Sequence, residues 1–246
     1  MKHVSPALDI RIAEKRYGAR AVLRDVDIAL RQGEVVSLIG ASGCGKSSLL
    51  SIASGLDRDF QGGIKLHGQP LDGVHRDIGF IFQEPRLFPW LTVAQNVAFD
   101  SDNDAAAQKL SARLLTEVGL QEQALSLPKH LSGGQAQRAA IARGLFSHPR
   151  VLLLDEPFSA VDAFTRMKLQ DLLLKVARQR ELTVLLVTHD IDEALYLSDR
   201  IILLDGVGSP AVTEFHPPPR PRGRGDVAVA ALKSSIIDRL HAVHAI

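Results

Sequence analysis

The segment 40–47 restricts the possible folds of this chain more than any other part of the sequence. It comprises Gly40, Ala41, Ser42, Gly43, Cys44, Gly45, Lys46 and Ser47. An apolar run at 34–39 predicts a buried strand before it, and 46–53 predicts a helix after it. A glycine-rich turn between a strand and a helix directs backbone N–H groups at an anion. The segment therefore predicts an α/β fold built around a phosphate-binding loop.

Four residues in or directly after this loop are candidates for the nucleotide site. Lys46 is expected to reach the terminal phosphates of a nucleotide, and the Ser47 hydroxyl is placed to bind Mg²⁺, with Ser48 directly after it. Cys44 occupies a variable position, where it is either a small filler residue or a thiol whose pKa the helix N-terminus lowers.

Composition excludes several classes of protein. The 246 residues include 29 Lys and Arg against 28 Asp and Glu, so no bulk charge favours binding to nucleic acid. The single cysteine, Cys44, allows no internal disulfide and is typical of a reducing compartment. Residues 1–11 lack the apolar core of a signal peptide. Apolar runs such as 184–187 are far shorter than the ~18–20 residues of a membrane helix, so we expect a soluble chain.

Short apolar runs alternate with helical patterns along the chain, as in an α/β domain. Strands are predicted at 34–39, 79–82, 151–154, 183–188 and 201–204, and helices at 46–53, 105–118, 134–146 and about 227–244. Alternation over about 8–30 predicts antiparallel strands. The helical block 84–149 interrupts the strands and is predicted to be an inserted lobe. Residues 216–225 are rich in Pro and Arg, so 216–246 is predicted to be an irregular tail ending in a helix.

Two acidic residues end one of the predicted strands. Asp155 follows the apolar run 151–154, which would deliver it to the sheet edge beside the phosphate loop, where it can hold Mg²⁺. Glu156 comes one residue later and is placed to act as general base on an attacking water. Carboxylates that only terminate a turn before Pro157 are the alternative.

The segment 131–135, Leu-Ser-Gly-Gly-Gln, resembles the signature sequence of ATP-binding cassette (ABC) ATPases. The residues that match the signature are Ser132, Gly133, Gly134 and Gln135. The resemblance implies an ATPase that pairs head to tail with a second copy of itself, so that this segment closes over the γ-phosphate held by the opposite copy. It also implies the fold class: a P-loop NTPase core with an N-terminal antiparallel β subdomain and an inserted helical lobe, together forming a domain over 1–215.

The resemblance extends to four further positions. It implies that Tyr17 stacks on adenine and that Gln83 contacts Mg²⁺ and the attacking water. It also implies that Asp162, in the segment 159–162, lies at the dimer interface and that His189 contacts the γ-phosphate. Taken alone, a histidine after a strand is more often structural, and Tyr17 is compatible with an ordinary turn.

Three stretches, 82–90, 155–170 and 217–226, look more narrowly like the nitrate, sulfonate and taurine importers. That resemblance implies ATP and Mg²⁺ as cofactors, transmembrane permease subunits as partners and a substrate-binding protein as an indirect one. It implies a peripheral position on the cytoplasmic face of the bacterial inner membrane. The apolar stretch 84–93 would receive a helix of the permease, or else pack within the lobe. An exporter or lipid-extraction ATPase and a soluble ABC ATPase without a transport role are the alternatives.

Overall fold

The computed structural model describes residues 5–102, 104–205, 212–220, 222–223 and 226–244. The strands are β1 (Leu8–Tyr17), β2 (Arg20–Leu30), β3 (Val35–Gly40), β4 (Gln61–Leu66), β5 (Gln69–Pro70), β6 (Ile78–Ile81), β7 (Val151–Asp155), β8 (Thr183–Val187), β9 (Arg200–Leu204) and β10 (Val212–Phe215). The helices are α1 (Lys46–Ala53), α2 (Val93–Val97), α3 (Ala105–Glu117), α4 (Gly133–Gly144), α5 (Ala163–Arg180), α6 (Ile191–Leu197) and α7 (Val227–His244).

Two sheets organise these elements. The larger has the order β10-β9-β3-β8-β7-β6, and all its pairs are parallel except the antiparallel edge pair β9–β10. Its central strands are buried on both faces, which explains why they are almost wholly apolar in sequence. The smaller sheet, β2-β1-β4-β5, is antiparallel. The α/β fold class and the antiparallel N-terminal sheet predicted from the sequence are confirmed.

The boundaries of the predicted elements shift by one or two residues. The helix 46–53 is confirmed, and the strand predicted at 34–39 runs over 35–40. The helix predicted at 134–146 begins at Gly133, because Ser132 caps its N-terminus, and it ends at Gly144. The sequence did not predict α5 and α6, nor the strands β4, β5 and β10.

Three helices, α2, α3 and α4, lie between β6 and β7 in the chain. Their apolar side chains, including Val93, Leu114 and Ile141, join the same buried cluster as Leu152 of β7. The helices therefore pack on one face of the large sheet, and the division at 84–149 stays a prediction.

The C-terminal segment packs against the sheet domain. Val229 and Ile236 of α7 are buried with Ile201 and Leu203 of β9. Before α7, Arg222 is 8% exposed and donates hydrogen bonds to the carbonyls of Leu195 and Ser198. These carbonyls end α6, where a cation is favourable. The described part of 216–226 has no regular structure, as predicted, while Pro221, Arg224, Gly225 and the start of the predicted N-terminal segment (1–4) lie outside the described residues.

Candidate nucleotide site

Three neighbouring strands end at the same edge of the large sheet. Strand β8 lies between β3 and β7, and all three are parallel. Their register places Val187 opposite both Leu38 and Asp155. The phosphate-loop residues after β3, the acids at the end of β7 and His189 after β8 therefore meet at one edge, as the topology of parallel sheets requires.

The backbone of the phosphate loop depends on glycine at two positions. Gly40 has φ +151°, and a Cβ there would lie 2.6 Å from the carbonyl oxygen of Leu204. Gly45 has φ +104°, and a Cβ there would lie 2.6 Å from the side chain of Leu23. Neither position accepts a side chain, so the close turn into α1 requires these residues.

Lys46 is held inside the loop that precedes it. Its Nζ donates hydrogen bonds to the carbonyl oxygens of Gly40 (2.8 Å) and Ala41 (2.7 Å), and the residue is only 7% exposed. A buried ammonium needs acceptors for its donors. Phosphate oxygens in the loop would supply stronger, charged acceptors at the same place.

Ser47 and Asp155 place a hydroxyl oxygen and a carboxylate oxygen next to each other. The Ser47 hydroxyl donates to Oδ1 of Asp155 at 3.2 Å. Burial raises the pKa of Asp155, although the hydrogen bond from Ser47 and the charge of Lys46 oppose the shift. A hydroxyl beside a carboxylate fits Mg²⁺, which prefers oxygen ligands and keeps several waters. Within the described ranges, no group of three or more His, Cys, Asp or Glu is suited to hold a metal ion.

Glu156 and His189 are in direct contact. Oε2 of Glu156 lies 2.9 Å from Nδ1 of His189. Glu156 adopts φ +44°, a conformation that costs a non-glycine residue roughly 1–2 kcal/mol. Its backbone N–H donates to Val187 O at 3.0 Å, which ties the turn to the end of β8. The strained turn aims the carboxylate at the histidine instead of along the strand.

Gln83 is placed differently from the other predicted residues. Its amide donates to Oγ of Ser159 at 3.3 Å, and that hydroxyl donates to the backbone carbonyl of Glu156 at 3.0 Å. Gln83 thus connects to Glu156 through one intervening side chain. The structure does not bring its amide into a hydrogen bond with Ser47 or Asp155.

One cavity of about 600 Å³ joins most of the predicted residues. It is lined by Tyr17, Arg20, Val22, Gly40, Ser42, Gly43, Gly45, Lys46, Ser47, Ser48, Glu156 and His189. The sequence analysis missed Arg20 and Val22. They belong to β2, and no motif marks them; only the pairing of Tyr17 with Arg20 across the β1–β2 hairpin brings them to the cavity.

The segment 132–135 does not line this cavity. Ser132 caps α4: its Oγ accepts from the Gln135 N–H (3.3 Å), and Oε1 of Gln135 accepts from the Ser132 N–H (2.8 Å). Ser132 and Gly133 are exposed. Gly134 is buried, and a Cβ there would lie 2.3 Å from Cγ2 of Thr165, so α4 approaches α5 at a glycine.

Asp162 does not line the cavity either. It caps the N-terminus of α5, where its Oδ1 accepts from the N–H groups of Thr165 (3.0 Å) and Phe164 (3.1 Å). These backbone hydrogen bonds, that of Thr165 first, lower the pKa of its carboxyl group. The cap gives Asp162 a structural role at this point of the chain.

Cys44 does not have the lowered pKa that was one of its two interpretations. Burial raises the pKa of its thiol and outweighs the charge of Lys46, whose Nζ lies 3.9 Å from the sulfur. The structure therefore favours the interpretation of Cys44 as a filler residue.

Comparisons with known proteins agree with this geometry. The family model described as ABC transporter matches residues 23–159. The chain is 59% identical to the aliphatic sulfonates import ATP-binding protein SsuB 1 of Xanthomonas axonopodis pv. citri, over 98% of both chains. It is 54% identical to the protein of the same name from Pseudomonas syringae pv. syringae, over 97% of this chain and 98% of that one.

A solved structure with the same fold contains a bound nucleotide. The dimeric ATP-binding cassette MJ0796, in a post-hydrolysis state with ADP and Pi, matches with a TM-score of 0.70 and 33% identity. The match covers 80% of this chain and 93% of that one. Within the described residues, no helix has the length and apolar character needed to span a bilayer.

Proposed function

This chain belongs to the ABC transporter family, and from that premise we propose that it hydrolyses ATP to drive a bacterial importer of aliphatic sulfonates. Two copies would pair head to tail and attach to two permease subunits at the cytoplasmic face of the inner membrane, and a substrate-binding protein would deliver the cargo. The observation that carries the proposal is full-length similarity to relatives named for aliphatic sulfonate import. The arrangement of the cavity supports the ATPase part.

The phosphate loop would bind the triphosphate. Lys46 would exchange its two carbonyl acceptors for phosphate oxygens, and the N–H groups of the loop would donate to the same phosphates. Ser47 and Asp155 would hold Mg²⁺, Asp155 through water, with Gln83 reaching the ion after leaving Ser159. When bound, Mg²⁺ neutralises charge that develops on the phosphates.

Glu156 and His189 would carry the chemical step. The Glu156 carboxylate would accept a proton from water, which attacks the γ-phosphorus while the bond to the β–γ bridging oxygen breaks. His189, 2.9 Å away, would hold that carboxylate in place and donate to the phosphoryl group that is transferred. Ser132, Gly133, Gly134 and Gln135 of the opposite copy would complete the site, because the N-terminus of α4 favours an anion.

The segment after Gln83 would receive the permease. Phe88 packs on Phe99 (4.1 Å between ring centroids) and Trp90 (5.5 Å), while Trp90 is 71% exposed. A neighbouring cavity of about 450 Å³ is lined in part by Phe80, Val97 and Phe99. Leu87 packs on the protein core instead, as the alternative interpretation of this stretch expects.

Growth of a deletion strain on single sulfur sources tests the proposal. We expect failure on alkanesulfonates with normal growth on sulfate, rescued by the wild-type gene but not by Glu156→Gln. The purified Glu156→Gln protein should lose about 10²–10⁴-fold in ATPase rate, as is typical when a general base is removed. Growth on alkanesulfonates without the gene would exclude this cargo. Rescue by Glu156→Gln, or its wild-type ATPase rate, would exclude the role given to Glu156.

A further inference from the structure

Tyr17, which the family resemblance implies stacks on adenine, lies where few packing contacts hold its side chain. It is the last residue of β1, beside a hairpin turn, and is 54% exposed. An exposed side chain at a strand end is free to change rotamer, and fixing it on binding a base would lose entropy. Some other group must hold the ring if it is to be ready for a base.

Lys15, two residues earlier on β1, is buried although its side chain carries a charge. The residue is 2% exposed. Its Nζ donates to the carboxylate of Asp57 (3.0 Å to Oδ1) and to the backbone carbonyl of Asp59 (2.6 Å), and the Asp59 carboxylate lies 3.5 Å away. Burial alone would lower the pKa of Lys15, but the hydrogen bond and charge of Asp57 outweigh it and raise the pKa. The Lys15 side chain is therefore a cation that Asp57 and Asp59 hold in place.

This cation lies against the face of the tyrosine ring. Nζ of Lys15 is 4.7 Å from the centroid of the Tyr17 ring, within the range of a cation–π interaction. The Tyr17 hydroxyl donates to Oδ2 of Asp57 (3.4 Å) and lies 3.3 Å from Oγ of Ser48, the residue after the phosphate loop. Asp57 thus holds both Lys15 and Tyr17.

We propose that Lys15 is a positioning residue for nucleotide binding: with Asp57, it holds the Tyr17 ring in the orientation that stacks on adenine. The proposal rests on the proposed ATPase function and on the adenine-stacking role that the family resemblance implies for Tyr17. Lys15 itself is not expected to touch the base or the phosphates, since it does not line the cavity and its Nζ is engaged by Asp57 and Asp59. Its effect is therefore on affinity for the base and not on phosphate binding or the chemical step.

The test compares ligands with and without a base on the full chain. In Lys15→Met, we expect the dissociation constant for MgATP to rise about three- to tenfold, a fraction of the full base–aromatic stacking contribution. The dissociation constant for magnesium tripolyphosphate, which has no base, should not change. The KM for ATP should rise in parallel, while kcat at saturating ATP changes by less than about twofold. Lys65→Met, at an exposed lysine of β4 in the same sheet, is the matched control.

Two further variants separate positioning from general destabilisation. Lys15→Arg keeps a cation beneath the ring and should recover most of the lost affinity. Lys15→Met leaves the Asp57 carboxylate unpaired, so Lys15→Met with Asp57→Asn is the alternative if the single variant unfolds. In a Tyr17→Ala background, Lys15→Met should have no further effect on ATP affinity, because the two residues act through one ring.

Equal weakening of ATP and tripolyphosphate would overturn the proposal, as would an undiminished effect in the Tyr17→Ala background. If Tyr17→Ala weakens ATP binding and Lys15→Met does not, the role of Lys15 is wrong while adenine stacking stands. If Tyr17→Ala itself leaves ATP affinity unchanged, the stacking role falls and that of Lys15 falls with it. Neither result affects the ATPase assignment, which the Glu156→Gln measurement tests separately.

Discussion

The N-termini of helices α1 and α4 both offer backbone N–H groups to an anion, yet their surroundings differ. The N-terminus of α1 opens into the cavity that Lys46, Glu156 and His189 line. The N-terminus of α4 is an exposed capping box, and none of Ser132, Gly133, Gly134 or Gln135 lines that cavity. Lys46, Glu156 and His189 therefore lie at the N-terminus of α1 and not at that of α4, as expected if α4 is offered to the phosphate site of an opposite copy.

The largest expected effect comes from mixing two inactive variants, which tests whether α1 of one copy and α4 of the other form one site. Lys46→Ala disables the phosphate loop, and Ser132→Asp keeps a good helix cap while placing a negative charge against the γ-phosphate of the opposite copy. Each variant alone should lose nearly all ATPase activity. An equal mixture should recover roughly a quarter of the wild-type rate, because random pairing makes half the dimers mixed and each of those holds one intact site.

Thr92→Asp is the matched control, since Thr92 caps α2 through the same kind of capping box away from the phosphate site, and it should retain most activity. Full activity of Ser132→Asp alone, or no recovery on mixing under conditions where the copies exchange, would contradict a shared site.

Two adjacent glycines at the start of α4 allow the packing of this helix against α5 to be tested separately from its proposed contact with phosphate. Gly134→Ala would place a methyl group 2.3 Å from Cγ2 of Thr165 and should lower the free energy of unfolding by about 1–3 kcal/mol. Gly133→Ala meets only Ala160 O at 3.7 Å, an ordinary contact, and should have little effect on stability. Denaturant unfolding of both variants measures the difference. Equal destabilisation would show that the contact between α4 and α5 is not what fixes Gly134.

The smallest expected effect concerns Glu193, which helps to fix the residue that precedes His189. Glu193 of α6 is buried, accepts a hydrogen bond from Gln170 at 3.0 Å and contacts Thr188, which precedes His189. Burial raises its pKa above 4.5, against the hydrogen bonds from Thr188 and Gln170. A raised acid pKa contributes stability that is complete below the unfolded-state pKa and is lost as the pH rises through the folded-state pKa.

Glu193→Gln, which stays neutral, should therefore gain stability relative to the wild type as the pH is raised from about 5 to about 8. Thermal unfolding of both proteins across that range measures the gain, with Glu122→Gln, at an exposed glutamate away from this helix, as the control. A difference in melting temperature that is constant with pH, or that shrinks as the pH rises, would show that the Glu193 pKa is not raised.

Local patterns made the phosphate loop, the acidic strand end and the N-terminal hairpin predictable. Each combines a short apolar run with a turn whose residue types are set by backbone geometry, as at Gly40 and Gly45. Helix α5 was missed although its buried residues Leu169, Leu173 and Val176 have the i, i+4 and i+7 spacing of an amphipathic helix. Strand β10 escaped because it is a short edge strand of four residues.

The sequence by itself determined which residues form the phosphate loop and that a strand precedes it and a helix follows it, since those features depend on neighbours in the chain. The tertiary structure alone decided that Glu156 contacts His189, that Gln83 reaches Glu156 through Ser159, and that Lys15 lies beneath Tyr17. It also decided that the Arg222 guanidinium binds the carbonyl groups at the C-terminus of α6. The contacts of Glu156 with His189 and of Arg222 with α6 join residues far apart in the chain, so they follow from strand order and packing, which no local pattern encodes.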